Sequence, residues 1–260
     1  MFTPSERDDF AKHGLIKRDS FLPQEKIAEA RKVIFAHLEQ EGTWRDGDWC
    51  LDEYEYTVVR GAGMKLLKPL CHDQTMIDLI NGDALAAATA LLNVRPVFPK
   101  DAYPLLLFTL PDVTTWTVPH SAWHLDMPRL SKAGIPGVQI FALLETVEPS
   151  GGGTLVVTGS HRLRDNGVRM KSGYLRKKLM EEPYFSDLMS DGADERHRFL
   201  HDVGYVDDVE VKVVEMTGEA GDVYFMDMRM LHTVAPNALQ IPRIMLTYRY
   251  LSEFSYKAIR

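Results

Sequence analysis

Cysteine is nearly absent: the 260 residues contain two, Cys50 and Cys71. That is too few for a disulfide framework, and no CxxC pair exists to support a zinc ribbon or a thioredoxin-type site. A reducing compartment, the cytoplasm, is the expected setting. The opening residues 1–7 lack a basic segment followed by an apolar run, so they do not read as a signal peptide. Long hydrophobic runs are also missing. The longest largely apolar stretch, residues 84–92, falls far short of the ~20 residues that a membrane span needs. Positive charge is in deficit, with 30 Lys+Arg against 37 Asp+Glu and a net charge of −7. The chain therefore has no long-range attraction to phosphate backbones or anionic lipid. Neither nucleic acid nor a membrane is an expected partner, and a small-molecule substrate is.

What is present suits one ordinary core: 45% hydrophobic and 26% charged residues over a length that can bury a core without staples. Thr3, Pro4 and Glu6 form a capping-box pattern that predicts a helix at the start. A second helix is predicted after Pro23, where Ile27, Ala30, Ile34 and Leu38 recur at helical spacing, with Gly42 ending it. The Ala- and Leu-rich residues 83–93 predict a third. From residue 104 the texture changes to short β-branched and aromatic runs bounded by Gly, Pro and Asp. Strands are predicted at residues 105–110, 138–145, 154–158, 211–216, 222–226 and 244–251. Strands without alternating helices point to an antiparallel sandwich or barrel. The expectation is a single α+β jelly-roll domain. In it residues 1–100 supply helical support, 101–160 and 210–251 the barrel strands, and 161–209 an insertion covering the mouth.

Three places could carry chemistry. In Trp123-His124-Leu125-Asp126, a histidine and a carboxylate two apart share one face of an extended chain, although chance alone supplies about one such pair. His232 lies in a turn between predicted strands and could add a third ligand. Two imidazoles and one carboxylate, with open positions on one side, form the facial triad of non-haem Fe(II) oxygenases. Arg243 opens the last predicted strand. A buried guanidinium there is expensive unless an anion meets it, and its planar fork suits a carboxylate. A divalent iron, Asp126, a dicarboxylate such as 2-oxoglutarate and Arg243 would together be neutral inside an apolar barrel. The same two-histidine, one-aspartate set could instead hold zinc in a metallohydrolase, or the barrel could be a non-catalytic binding module.

Other motifs are excluded or secondary. Gly151-Gly152-Gly153-Thr154 precedes a strand and no Lys-Ser/Thr follows, so it reads as a turn and not a phosphate cradle. Gly159-Ser160-His161 lacks the nucleophile elbow of a serine hydrolase. His120 reads as a solvated loop residue, Trp123 as core. The basic residues between Arg162 and Lys178 read as a solvated face laced by helical ion pairs. The aromatic, acidic residues 44–56 are a further candidate wall.

These pieces together resemble the phytanoyl-CoA dioxygenase family of Fe(II)- and 2-oxoglutarate-dependent oxygenases. The resemblance covers Phe10-Ala11-Lys12-His13-Gly14-Leu15-Ile16 with Phe21-Leu22-Pro23, the Trp123–Asp126 segment, Gly151 through Arg162, and Gly221 through Arg243 with its eleven-residue step from His232. It departs from the family at Thr158, where a proline is usual. The resemblance implies a double-stranded β-helix, with iron held by His124, Asp126 and His232. It further implies 2-oxoglutarate chelating that metal with its far carboxylate on Arg243, and Thr154 and Gln139 as further co-substrate contacts. The implied reaction uses O2 to oxidise, most simply hydroxylate, a substrate C–H bond with release of succinate and CO2. Asp126 stands where related halogenases carry a small residue, so halogenation is not expected.

Overall fold

The computed structural model describes residues 2–50, 62–111, 115–128, 134–163, 169–192 and 195–259. Its first part holds α1 (Pro4–His13), β1 (Leu15–Arg18), α2 (Gln24–Gln40), a hairpin of β2 (Trp44–Arg45) and β3 (Asp48–Trp49), α3 (Ala62–Leu67), α4 (Gln74–Ile80) and α5 (Asp83–Leu92). The capping box forms: the Thr3 hydroxyl accepts from the Glu6 amide at 3.3 Å, and the Thr3 amide donates to the Glu6 carboxylate at 2.7 Å. Gly14 ends α1 with φ +77°, and a Cβ there would lie 2.6 Å from a ring nitrogen of His161. Among the described residues one stretch, Gln74–Leu92, has the length and hydropathy of a membrane span. Gly82, at φ +57°, breaks it into α4 and α5, and their Met76, Leu79, Ile80, Ala88 and Leu91 are buried.

The remaining elements are β4 (Leu105–Thr109), β5 (Gly137–Leu143), β6 (Leu155–Thr158), α6 (Ser172–Leu179), α7 (Pro183–Met189), β7 (Gly204–Val206), β8 (Val209–Glu215), β9 (Val223–Asp227), β10 (His232–Thr233), β11 (Arg243–Leu251) and α8 (Glu253–Ile259). They form two antiparallel sheets, one ordered β1-β9-β5-β11-β4 and the other β10-β6-β8-β7. This is the two-sheet jelly roll with helices on its N-terminal side.

Period-2 alternation sorts the side chains of the larger sheet. Val138, Ile140, Val223, Phe225, Ile244, Leu246 and Tyr250 face α2, α4 and α5 and their apolar stripe. Phe141, Leu143, Tyr224, Met226 and Met245 face inward and meet Val156 and Met216 from the other side. On the smaller sheet Leu155, Val157, Val211 and Val213 face outward against Leu175, Leu179, Phe185, Leu188 and Phe199. Each such burial stabilises the fold by about 1.5–3 kcal/mol. The described part of residues 161–209 thus backs the outer face of the smaller sheet.

Each predicted strand is present within two residues. Strands β1, β2, β3, β7 and β10, of two to four residues, lie outside the expectation: the two- and three-residue ones carry no readable period, and the Lys and Arg that end β1 hide its apolar start. The Trp44 and Trp49 rings pack at a tilt against Phe35, and Trp49 reaches Phe108 on the helical side. The rest of the expected aromatic wall, residues 51–56, lies outside the described residues.

Candidate functional site

His124 and His232 are 108 positions apart in sequence and adjacent in space. Each backbone amide donates to the other's carbonyl, at 2.9 and 3.0 Å, in a single antiparallel bridge. Such a hydrogen-bonded pair projects both side chains from the same face, and the two imidazole centroids lie 4.4 Å apart. Asp126, two residues beyond His124, closes the group. One oxygen is 3.6 Å from His124 Nε2 and the other 3.6 Å from His232 Nε2. The three donor atoms fall within 4.8 Å of one another, a spacing that a single metal ion can bridge.

The tautomers suit ligation. His124 Nδ1 lies 2.8 Å from the Ala122 carbonyl and His232 Nδ1 3.1 Å from the Met230 carbonyl. A proton on each Nδ1 leaves the Nε2 lone pair facing Asp126. The partnership with Asp126 raises the His124 pKa against the effect of burial. Burial pushes the Asp126 carboxyl up, but His124, His232 and Arg249 outweigh it and hold the group well below the usual carboxylate range. The Asp126 carboxylate is thus ready for a cation.

Neighbouring segments set the three side chains in place. Ser160 Oγ donates to the Val157 carbonyl at 2.6 Å and accepts from the amide of Leu231, the residue before His232, at 2.9 Å. The amide of Leu125, between His124 and Asp126, donates to Ser172 Oγ on α6 at 2.9 Å. Arg196 lies under the loop before His124 and donates to the Val118 carbonyl and to carbonyls at the end of α7. Trp123 is buried and donates to the Pro119 carbonyl, as core. His120 is half-exposed and lies 3.3 Å from Asp191. Of the basic run, Lys178 pairs with Glu181 at 3.0 Å on the surface of α6.

Arg243 sits at the inner end of β11, 2% exposed. It donates to the Gly152 carbonyl at 2.9 Å, to the Leu107 carbonyl at 3.4 Å and to the Thr109 hydroxyl. No carboxylate meets it among the described residues, and burial lowers its pKa to about 10. A buried, uncompensated guanidinium is costly and marks a place for an anion. Val156, opposite His232, faces the interior. By the strand period Thr154, two residues earlier and buried, falls on that same face between His232 and Gly152.

Gln139 lies elsewhere. It is opposite Arg249 in the register, six residues along β11 from Arg243. Its amide donates to Thr247 Oγ1 at 3.1 Å, while its buried Oε1 has no partner among the described residues. Arg249 is the residue that sequence reasoning missed. Its Nε and Nη2 both donate to Asp126 Oδ2, at 2.9 and 2.6 Å. The available signal was its place on β11, where Arg243, Met245, Thr247 and Arg249 alternate onto one face.

The chain matches the family model "Phytanoyl-CoA dioxygenase (PhyH)" over residues 10–245. No curated protein matches it. Among solved structures, the non-haem alpha-ketoglutarate-dependent carbocyclase SnoK from nogalamycin biosynthesis aligns with a TM-score of 0.59 at 16% identity, over 96% of this chain and 84% of that one. EctD from S. alaskensis, with 2-oxoglutarate and 5-hydroxyectoine, gives 0.60 at 16% identity, over 98% and 77%. The epimerase SnoN, in complex with Fe3+, alpha ketoglutarate and nogalamycin RO, gives 0.54 at 17%, over 96% and 85%. At such identities the likeness is one of fold, and that fold is the two-sheet barrel described above. The family match runs through both sheets and all the residues of the site but Arg249, and by it the chain belongs to the phytanoyl-CoA dioxygenase (PhyH) family of iron- and 2-oxoglutarate-dependent oxygenases.

Proposed function

We propose that the chain, working as one domain, oxidises a C–H bond of a small molecule, most simply by hydroxylation, with conversion of 2-oxoglutarate to succinate and CO2. His124, Asp126 and His232 would hold Fe(II), and Arg243 would take the far carboxylate of 2-oxoglutarate. Thr154 would line the path between them, and Gln139 would stand at its metal end. The observation that carries this reading is a pair of complementary groups on one barrel interior: three donor atoms within 4.8 Å, and a buried guanidinium that no carboxylate meets among the described residues. The donor set fits an Fe(II) site with open positions. When bound, the metal supplies O2 activation coupled to 2-oxoglutarate decarboxylation.

The chain's own share is positioning and electrostatics. The carbonyls of Ala122 and Met230 fix both histidine tautomers, and Ser160 and Ser172 hold the backbone beside them. Phe141, Met226 and Met245 supply apolar walls that exclude water. Asp126 keeps the ligand set that favours oxygen insertion over halogenation. The net charge of −7 fits a cytoplasmic enzyme, and the described elements between residues 161 and 209 serve the loop of His124 and Asp126 through Ser172 and Arg196.

The test is an anaerobic titration of metal-free protein with Fe(II) and 2-oxoglutarate, followed by the visible charge-transfer band of the chelate. The band is expected in the wild type and absent from His124→Ala. A folded wild-type protein that gives no band overturns the reading.

A further inference from the structure

We infer that Arg249 recognises an anionic group of the substrate, a carboxylate, and holds it beside the metal position. This rests on the reading of the preceding subsection and adds the substrate class to it.

Two cations lie on the interior face of β11. At about 3.3 Å per residue, the six positions between Arg243 and Arg249 place their backbones roughly 20 Å apart along the strand. The inner guanidinium is 2% exposed and the outer one 39%. The outer one lies against the ligand set, through Asp126 Oδ2. On that side His124 is 44% exposed, whereas His232 is 6% exposed. A small molecule that reaches the metal from solvent therefore meets Arg249, while Arg243 is out of its reach.

The guanidinium is only half used. Nε and Nη2 converge on one oxygen of Asp126, and Nη1 has no hydrogen-bond partner among the described residues. A planar fork with a free nitrogen at a partly desolvated site suits a carboxylate, which it binds with directional, charge-assisted hydrogen bonds. Beside it, the buried Oε1 of Gln139 has no partner among the described residues and can accept from a neighbouring hydroxyl or amide of the same ligand.

Charge gives the same answer. A divalent metal, Asp126, the two carboxylates of 2-oxoglutarate and Arg243 sum to zero. Arg249 then leaves one surplus positive charge in a site walled by Phe141, Met226 and Met245. A monoanionic substrate group cancels it, and a neutral substrate leaves it in place.

The experiment uses the wild-type protein loaded anaerobically with Fe(II) and saturating 2-oxoglutarate. Phenylacetate, hexanoate and octanoate are titrated in, each against its primary amide, and perturbation of the visible chelate band is read. At least one acid is expected to bind about tenfold more tightly than its amide, the size of one charge-assisted hydrogen bond. Arg249→Gln should erase that preference, and Arg249→Lys should restore part of it. Acids that bind no better than amides, or a preference undiminished in Arg249→Gln, overturn the inference. So does an Arg249→Gln protein that forms no chelate band, because Arg249 would then serve Asp126 and the metal alone. A wild type without the band instead removes the reading of the preceding subsection, and this one with it.

Discussion

Replacing Arg243 with glutamine separates the value of its charge from the value of its place in the barrel. Burial lowers the guanidinium pKa to about 10 in the protein without co-substrate. At about 1.4 kcal/mol for each tenfold change in proton affinity, keeping it charged there costs about 3 kcal/mol. A carboxylate brought alongside returns that amount, which corresponds to about a 100-fold gain in co-substrate affinity. The probe pair is 2-oxoglutarate and 2-oxopentanoate, which share the metal-chelating end and differ only in the far carboxylate. Bound anaerobically to the Fe(II)-loaded protein, the wild type should prefer 2-oxoglutarate by about 100-fold. Arg243→Gln should bind the two about equally while leaving 2-oxopentanoate affinity near its wild-type value. Glutamine cannot serve all three acceptors at Gly152, Leu107 and Thr109, so far-UV circular dichroism must show a folded variant. A folded Arg243→Gln protein that keeps the wild-type preference within threefold refutes the assignment of the anion pocket.

Ser172→Ala should leave the Leu125 amide unpaired between His124 and Asp126, at a cost of about 1–3 kcal/mol. Thermal unfolding should fall by several degrees and metal affinity by about tenfold; a variant equal to wild type in both would show that α6 plays no part in holding the ligands. Glu215 supplies a pH test, because burial raises its carboxyl to about 7 against the amides of Ser150 and Gly153. The folded state then binds a proton that the unfolded chain releases near 4.5, so this group's contribution is full below pH 4.5 and is lost as pH rises through 7. That is about 3 kcal/mol. Glu215→Gln should flatten this part of the stability–pH curve, and an unchanged slope between pH 4.5 and 7 would contradict the burial argument.

The parts of the fold legible in the sequence are those with a local physical signature. Thr3 and Glu6 announce α1 because a capping box is a contact between near neighbours, and Ile27 through Leu38 announce α2 because one face must be apolar. The six predicted strands stand out by β-branched runs between turn residues. Strand β1 does not: Leu15–Arg18 is strand because Val223–Met226 offers it an edge, a partner more than 200 residues away. The site divides in the same way. His124 and Asp126 are visible as a pair two apart, and His232 and Arg243 as chemistry placed at strand ends. Their convergence depends on one backbone bridge that no local pattern encodes. Arg249 is hidden for the opposite reason, since inside a continuous strand a charged residue looks like an ordinary solvent-facing position. Only the register against Gln139 puts it on the interior.

The reciprocal amide bonds between His124 and His232 tie the two proposed ligand segments together with no ion involved in the tie. The scaffold therefore fixes where the donor atoms stand, and it does little to choose which divalent ion fills the gap, since two imidazoles and a carboxylate rank Zn(II), Ni(II) and Co(II) above Fe(II) by intrinsic affinity. Protein taken from cells will carry whatever ion the growth medium made abundant, and metal exchange will need no unfolding. Specific activity of such a preparation reports its loading history first, and becomes a measure of catalysis only after the site has been stripped and refilled with iron.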